Sequence, residues 1–192
     1  MAYLWMLVGC FSFAWMGQFA GLLHSRCDWR VVALARGGLA FIFALSLARM
    51  SGAKLVLWRP PALWLRGLAG SLSLLCTFYA YSSLRPSEVL ALANTFPIWV
   101  AILSWPVLQQ KPNLSVWLAS FCGVCGVVVM QIDKVEFPPG SQLAVILALV
   151  AAFTSAVAML GLNRLQGVHP WAVVAHFSGV ATAFVLAGWM VG

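Results

Sequence analysis

Trp29-Arg30-Val31-Val32-Ala33 returns as Trp171-Ala172-Val173-Val174-Ala175, a shift of 142 residues, and residues 143–192 repeat the hydropathy of the opening fifty. Five apolar segments fit inside that shift. A unit with an odd number of membrane crossings must lie upside down relative to its own copy, which is the plan of inverted-repeat transporters. The sequence therefore predicts an all-α, polytopic transmembrane helix bundle. Residues 1–133 form a first five-helix repeat, and 142–192 form the first two helices of a second copy that is incomplete.

Composition fixes the solvent. With 63% apolar and 8% charged residues among 192, there is too little polar surface to cover a water-soluble domain, so the bilayer is the medium. The formal charge of +7 is spread singly and in short hydrophilic gaps, without a basic face, so no nucleic-acid partner is expected. The first apolar run begins almost at Met1, lacks a basic leader and has the length of a bilayer span, so it reads as an uncleaved helix.

Apolar runs of about twenty residues place about seven helices, at 2–23, 30–50, 64–84, 88–109, 113–132, 142–163 and 170–191. Charge at 24–29, the proline pair closing 51–61, Lys111-Pro112-Asn113 and Pro138-Pro139-Gly140 punctuate them. The runs are too long and too uniformly apolar for barrel strands. Gaps on the side of the N-terminus hold Arg49, Lys54, Arg59, Arg66, Lys111 and Arg164, against Arg26, Arg30, Arg85 and Lys134 opposite. Six against four puts the N-terminus in the cytoplasm.

The most specific pattern runs from Phe78 to Met130. It comprises the pair Tyr79-Ala80, a small and apolar fourth helix with Pro97 at mid-depth, a short basic turn, and a fifth helix bearing Gly123 and Gly126. This stretch resembles the third to fifth helices of the EamA family in the drug/metabolite transporter superfamily, and Arg36 resembles an arginine that family often carries in its second helix. The resemblance implies ten helices in two inverted five-helix repeats, embedded in the plasma or inner membrane. It also implies a secondary transporter that carries small metabolites, often outward, by alternating access, without a cofactor. Two departures accompany it. Gln109-Gln110-Lys111 stands where the family frequently has a glutamate, and the chain ends at Gly192 inside an apolar run, before the last three helices. The expectation is a truncated carrier whose partners are a small-molecule substrate, the lipid bilayer and either the missing helices or a second copy in a homodimer.

Six residues are candidates for substrate contact: Arg36, Tyr79, Asn94, Thr95, Pro97 and His176. Pro97 cannot donate to the carbonyl of Ala93, so the fourth helix can kink and offer backbone oxygen near mid-depth, beside Asn94 and Thr95, or the kink can serve packing alone. Arg36 lies ~9 Å inside the second helix and reads as a polar contact rather than a snorkelling side chain. An anionic group on the substrate is a natural partner for it. His176 is either a neutral imidazole hydrogen-bonded within the bundle or a proton-coupling group. Tyr79, Tyr81, Trp15, Gln18 and Trp99 are cavity liners or packing residues. Glu88 reads as a helix end cap.

Other chemistry finds no support in the residues. Cys122-Gly123-Val124-Cys125 has redox spacing but lies in an apolar helix with no base to form a thiolate. Its small residues, from Ala119 to Gly126, instead suggest close helix approach, as do Gly17, Gly21, Gly67 and Ser71. No spacing suggests a metal site. Ser178 and His176 are two apart on one helix and cannot pair as nucleophile and base, so no enzyme is expected.

Overall fold

Proline sets where three of the membrane helices begin. It lacks an N–H and fixes φ, so it is tolerated in the first turn of a helix and starts one. Pro61 opens one helix, Pro86 another and Pro170 a third. The computed structural model describes residues 2–24, 27–56, 58, 60–109, 113–131 and 140–191. The helices are α1 (Ala2–His24), α2 (Trp29–Met50), α3 (Pro61–Tyr81), α4 (Pro86–Ala93), α5 (Phe96–Leu108), α6 (Leu114–Gln131), α7 (Gln142–Asn163) and α8 (Pro170–Val191). Among the described residues there is no strand.

These eight segments make seven rods, because α4 and α5 are one rod interrupted at Asn94 and Thr95. Among the described residues, six rods are long and apolar enough to cross a membrane, with α4 and α5 counted together, and α6 carries a shorter apolar stretch, Leu114–Gly126. The third and fourth rods begin earlier than hydropathy predicts, at 61 and 86 rather than 64 and 88. Hydropathy centres on the apolar run and misses the proline that starts it. One consequence is that Arg66 lies inside α3 and not in the gap before it. Arg26, Arg59, Lys111, Lys134 and the turn at 133–139 lie outside the described residues.

Small residues decide the packing. The most extensive helix contact joins α3 to α7, followed by α2 to α8 and α3 to α8. Ser73 Oγ donates to the carbonyl of Ala151 at 2.9 Å and lies 2.6 Å from Ser155 Oγ. Alanines 144, 148, 151, 152, 156 and 158 of α7 are buried, whereas Phe11, Phe43, Phe121 and Trp105 point outward and are more than 60% exposed. This inverts the usual globular order, as expected where lipid is as apolar as the side chains and only close approach holds helices together. The small stretch of α6 is an exception to that expectation, because a Cβ at Gly123 or Gly126 would meet nothing within 4 Å. That helix sits at the edge of the bundle, against α4 and α5.

Along the α2–α8 seam, a Cβ on Gly37 would lie 2.9 Å from Thr182 Oγ1, and one on Gly179 would lie 3.1 Å from the Phe41 ring. Higher numbers on α2 meet lower numbers on α8, so the two helices run antiparallel. Gly179 lies 142 residues beyond Gly37, the same shift that relates the two tryptophan motifs.

The seam makes a stability prediction. We expect Gly37→Leu to lower stability by about 1–3 kcal/mol through overpacking, read as an earlier midpoint in denaturant titration of the micelle-embedded protein. Gly38→Leu, where a Cβ meets nothing within 4 Å, should change the midpoint by less than about 0.5 kcal/mol. Equal losses at both positions would contradict the seam.

Candidate functional site: a cleft beside Arg36

The site begins with the start of α2. Asp28 caps that helix, its side chain accepting the N–H of Arg30 at 2.9 Å, so the first turn is fixed at Trp29 and Arg36 is carried two turns into the bundle. The Arg36 guanidinium lies over the Phe78 ring at 5.8 Å, and its Nε donates to Met16 Sδ at 2.9 Å. Thioether sulfur is a weak acceptor. Beside it opens a cleft of about 680 Å³ lined by α1, α2 and Phe78 of α3. Phe11, Trp15 and Phe19 on its wall are each more than half exposed, so it opens on the outer face of the bundle. Their rings form a ladder, 6.1 Å from Phe11 to Trp15 and 5.5 Å from Trp15 to Phe19.

The chain has four carboxylates, and the two described ones are used elsewhere. Asp28 caps α2. Glu88 accepts the N–H of Arg85 at 2.9 Å, the end-cap role its position suggests. Among the described residues, Arg36 therefore has the Phe78 face, the Met16 sulfur and the Tyr81 phenol around it and no carboxylate. A planar guanidinium with five donors in that setting is suited to bind a carboxylate or phosphate oxygen that enters the cleft.

The remaining candidates lie elsewhere. Tyr79 meets the Trp29 ring edge-on at 5.6 Å. Asn94 is exposed at the break between α4 and α5. Thr95 Oγ1 donates to the Leu92 carbonyl at 2.7 Å, and Pro97 occupies the first turn of α5. His176 is buried between α8 and α3, with its ring edge-on to Trp64 at 5.0 Å. Trp99 packs on Phe153 of α7 at 5.4 Å. Of the six candidates, only Arg36 lines the cleft.

Met16, Phe11, Phe19 and Phe78 were not singled out from sequence. The α1 residues of the cleft wall, at 11, 12, 15, 16, 19, 20 and 23, share one helical face. That spacing was available, but α1 is apolar nearly all round and no polar stripe marks the face. Arg66 was read as a flanking charge. Its guanidinium is over the Phe177 ring at 4.6 Å, and its tip packs against Gly70, one turn deeper into the membrane than its own backbone.

Membrane-length helices held by small residues, with an arginine-bearing cleft beside them, define an integral membrane helix bundle. The chain belongs to the EamA-like transporter family, whose profile matches residues 1–132. It is similar to the pseudopaline exporter CntI from two strains of Pseudomonas aeruginosa, at 24% identity in each over 177 residues, 92% of this chain and 62% of the relative. The chain thus spans less than two thirds of the length of these curated relatives. No solved structure matches.

The break in the fourth rod gives a second prediction. Replacing Pro97 with Ala restores an N–H for the carbonyl of Ala93. We expect α4 and α5 to join, with amide exchange at 94–98 slowed about fivefold, the equivalent of one net hydrogen bond of ~1 kcal/mol. Hydrogen–deuterium exchange in nanodiscs measures it. Unchanged exchange would mean that packing, and not the missing donor, makes the break.

Proposed function

We propose that this chain is the substrate-contacting part of a secondary carrier that exports a small, anionic metabolite by alternating access, with Arg36 as the contact for the anionic group. The observation that carries the reading is the arginine in the wall of an apolar cleft with no carboxylate near it among the described residues. Charge at membrane depth is costly and usually marks a pathway. A bidentate anion would satisfy donors that Met16 and Phe78 leave unused. The outward direction is supported by the name of the Pseudomonas relatives, which are exporters.

In this reading, residues 1–133 and 142–192 belong to two inverted repeats that rock about the α2–α8 seam, and the N-terminus is cytoplasmic in the plasma or inner membrane. Asn94, Thr95 and Pro97 supply the flexible mid-depth break. Tyr79 and His176 steady α3 against α2 and α8, where substrate could reach them as the repeats rock.

A second reading is a module that transports only with further helices beside it. The exposed wall of α1 favours it.

The test is efflux from cells or proteoliposomes carrying the full chain, with pseudopaline and a panel of carboxylate-bearing metabolites as probes. Arg36→Ala should cut transport of the accepted probe about 10- to 100-fold, the range for losing a hydrogen bond to a charged group. Arg36→Lys should retain part of it, and the elution profile and thermal midpoint should stay unchanged in both. Full transport by a folded Arg36→Ala protein would refute the assignment.

A further inference from the structure

Two glycines fix where α1 meets the Arg36 cleft. A Cβ on Gly17 would stand 3.0 Å from the Tyr81 hydroxyl oxygen, and one on Gly21 would run into the Pro86 ring. Without side chains at these positions α1 lies close against α3 and α4, and Met16, the neighbour of Gly17, comes to the depth of Arg36 on α2. Methionine is unbranched and turns about three bonds, so its sulfur can follow the guanidinium edge, and Arg36 Nε donates to it at 2.9 Å. Met16 is half-buried in the cleft wall. Ser12, one turn away in the same wall, gives its proton to the Val8 carbonyl of its own helix.

A guanidinium offers its paired N–H donors as forks on a side edge, Nε with one Nη, and on an end edge, Nη with Nη. Either fork can grip a carboxylate or phosphate through parallel bonds. In Arg36 the side edge is engaged, because its Nε–H points at sulfur, and the Phe78 ring lies under the guanidinium at 5.8 Å. The end edge is the fork that remains for an anion. The weakness of the acceptor matters as much as its place. A thioether is neutral and a poor acceptor, so it turns the guanidinium without cancelling its charge. A carboxylate in the same position would close an ion pair that any entering anion must first break.

We propose that Met16 is the positioning residue of the site: its thioether holds Arg36 by Nε and leaves the end edge to grip a two-oxygen anion, carboxylate or phosphate, head-on. The inference rests on the reading of Arg36 as the anion contact. It narrows the substrate's anionic group to one that presents two oxygens side by side, because a one-atom acceptor cannot span both Nη groups with parallel bonds. Selectivity then belongs to a pair of residues on adjacent helices, and neither helix supplies it alone.

The probe is formate, the smallest anion with two such oxygens, and chloride is its one-atom control. NMR of the full chain in nanodiscs, with arginine labelled at its side-chain nitrogens and Arg36 assigned by its loss in Arg36→Lys, follows each nitrogen. Formate should move both Nη signals and leave Nε in place, at a midpoint about threefold below that of chloride, as one added hydrogen bond gives. Met16→Leu, which keeps the side-chain volume, should raise the formate midpoint about three- to tenfold, the range for losing a modest hydrogen bond. Met16→Gln restores a neutral acceptor and should return the midpoint to within about twofold of its starting value. In Arg36→Lys the compact ammonium has no edge to orient, so adding Met16→Leu there should leave the formate midpoint unchanged. Three results would overturn the role of Met16 and leave Arg36 as the anion contact: formate shifting Nε together with one Nη, a midpoint that Met16→Leu does not move, or an equal loss with arginine and with lysine at position 36. The shift pattern needs no variant, so it decides the matter even where Met16→Leu fails to fold. Formate that moves no Arg36 nitrogen refutes the contact itself.

Discussion

The contact between α3 and α7 is the constraint on which the bundle depends. In lipid an apolar side chain gains nothing by leaving its surroundings, so helices adhere only where their backbones come close enough for dispersion and for hydroxyls to find carbonyls. Ser73 reaches the Ala151 carbonyl, whose second lone pair is free to accept while the helical bond persists. Gly161 brings α7 so near that a Cβ there would stand 3.4 Å from the Arg66 backbone nitrogen. With this pair fixed, α8 has one place to go, in the angle between α3 and α2, where Gly67, Gly70 and Gly37 admit it.

Against that background the two deep arginines find different solutions. A cation at the centre of a bilayer costs upward of about 2.5 kcal/mol, whereas an aromatic face returns ~0.5–2. Arg66 offsets its cost by close packing: its guanidinium is 4.6 Å from the centre of the Phe177 ring and folds against Gly70, inside the α3–α8 contact. Arg36 stands farther from its ring, at 5.8 Å, with a thioether for acceptor and a cleft alongside. Among the described residues, Arg66 Nε is buried without a hydrogen-bond partner and depends on the ring alone, whereas Arg36 stands beside a cleft, which makes it the one of the two that an anion can reach.

Most of the fold was legible in the sequence because hydropathy and punctuation act locally. Seven apolar runs became seven rods, and Pro97, with no N–H to give, lies where the fourth is broken. The site was less legible. Arg36 announced itself as a charge out of place, but its neighbours Met16 and Phe78 are ordinary apolar residues on other helices, and only tertiary contact makes them partners. The candidates chosen for polarity or position, Tyr79, Thr95 and His176, are engaged in local or interhelical contacts away from the cleft. Small-residue spacing was ambiguous for a related reason. It marks where helices can approach, and both α7 and α6 carry it, but α7 alone meets a close partner at its small residues.

The two halves of the fourth rod share α6 and α7 as neighbours, and α4 adds a contact with α1. On one side α4 packs on α1, with Gly17 near Leu90 and Gly21 against Pro86. On the other, α5 packs on α7 through Trp99 and Phe153. Any displacement of α1 relative to α7 would strain a rod that touches both. A continuous helix would resist through its ladder of backbone bonds. Here the ladder is already interrupted, and the Thr95 hydroxyl, 2.7 Å from the Leu92 oxygen, keeps a carbonyl satisfied at the gap. Bending at Asn94 and Thr95 therefore breaks few backbone bonds beyond the one Pro97 already removes from the Ala93 carbonyl, in a medium where each unsatisfied group costs several kcal/mol. The rod can thus bend at the break while α4 keeps its contact with α1 and both halves keep theirs with α7.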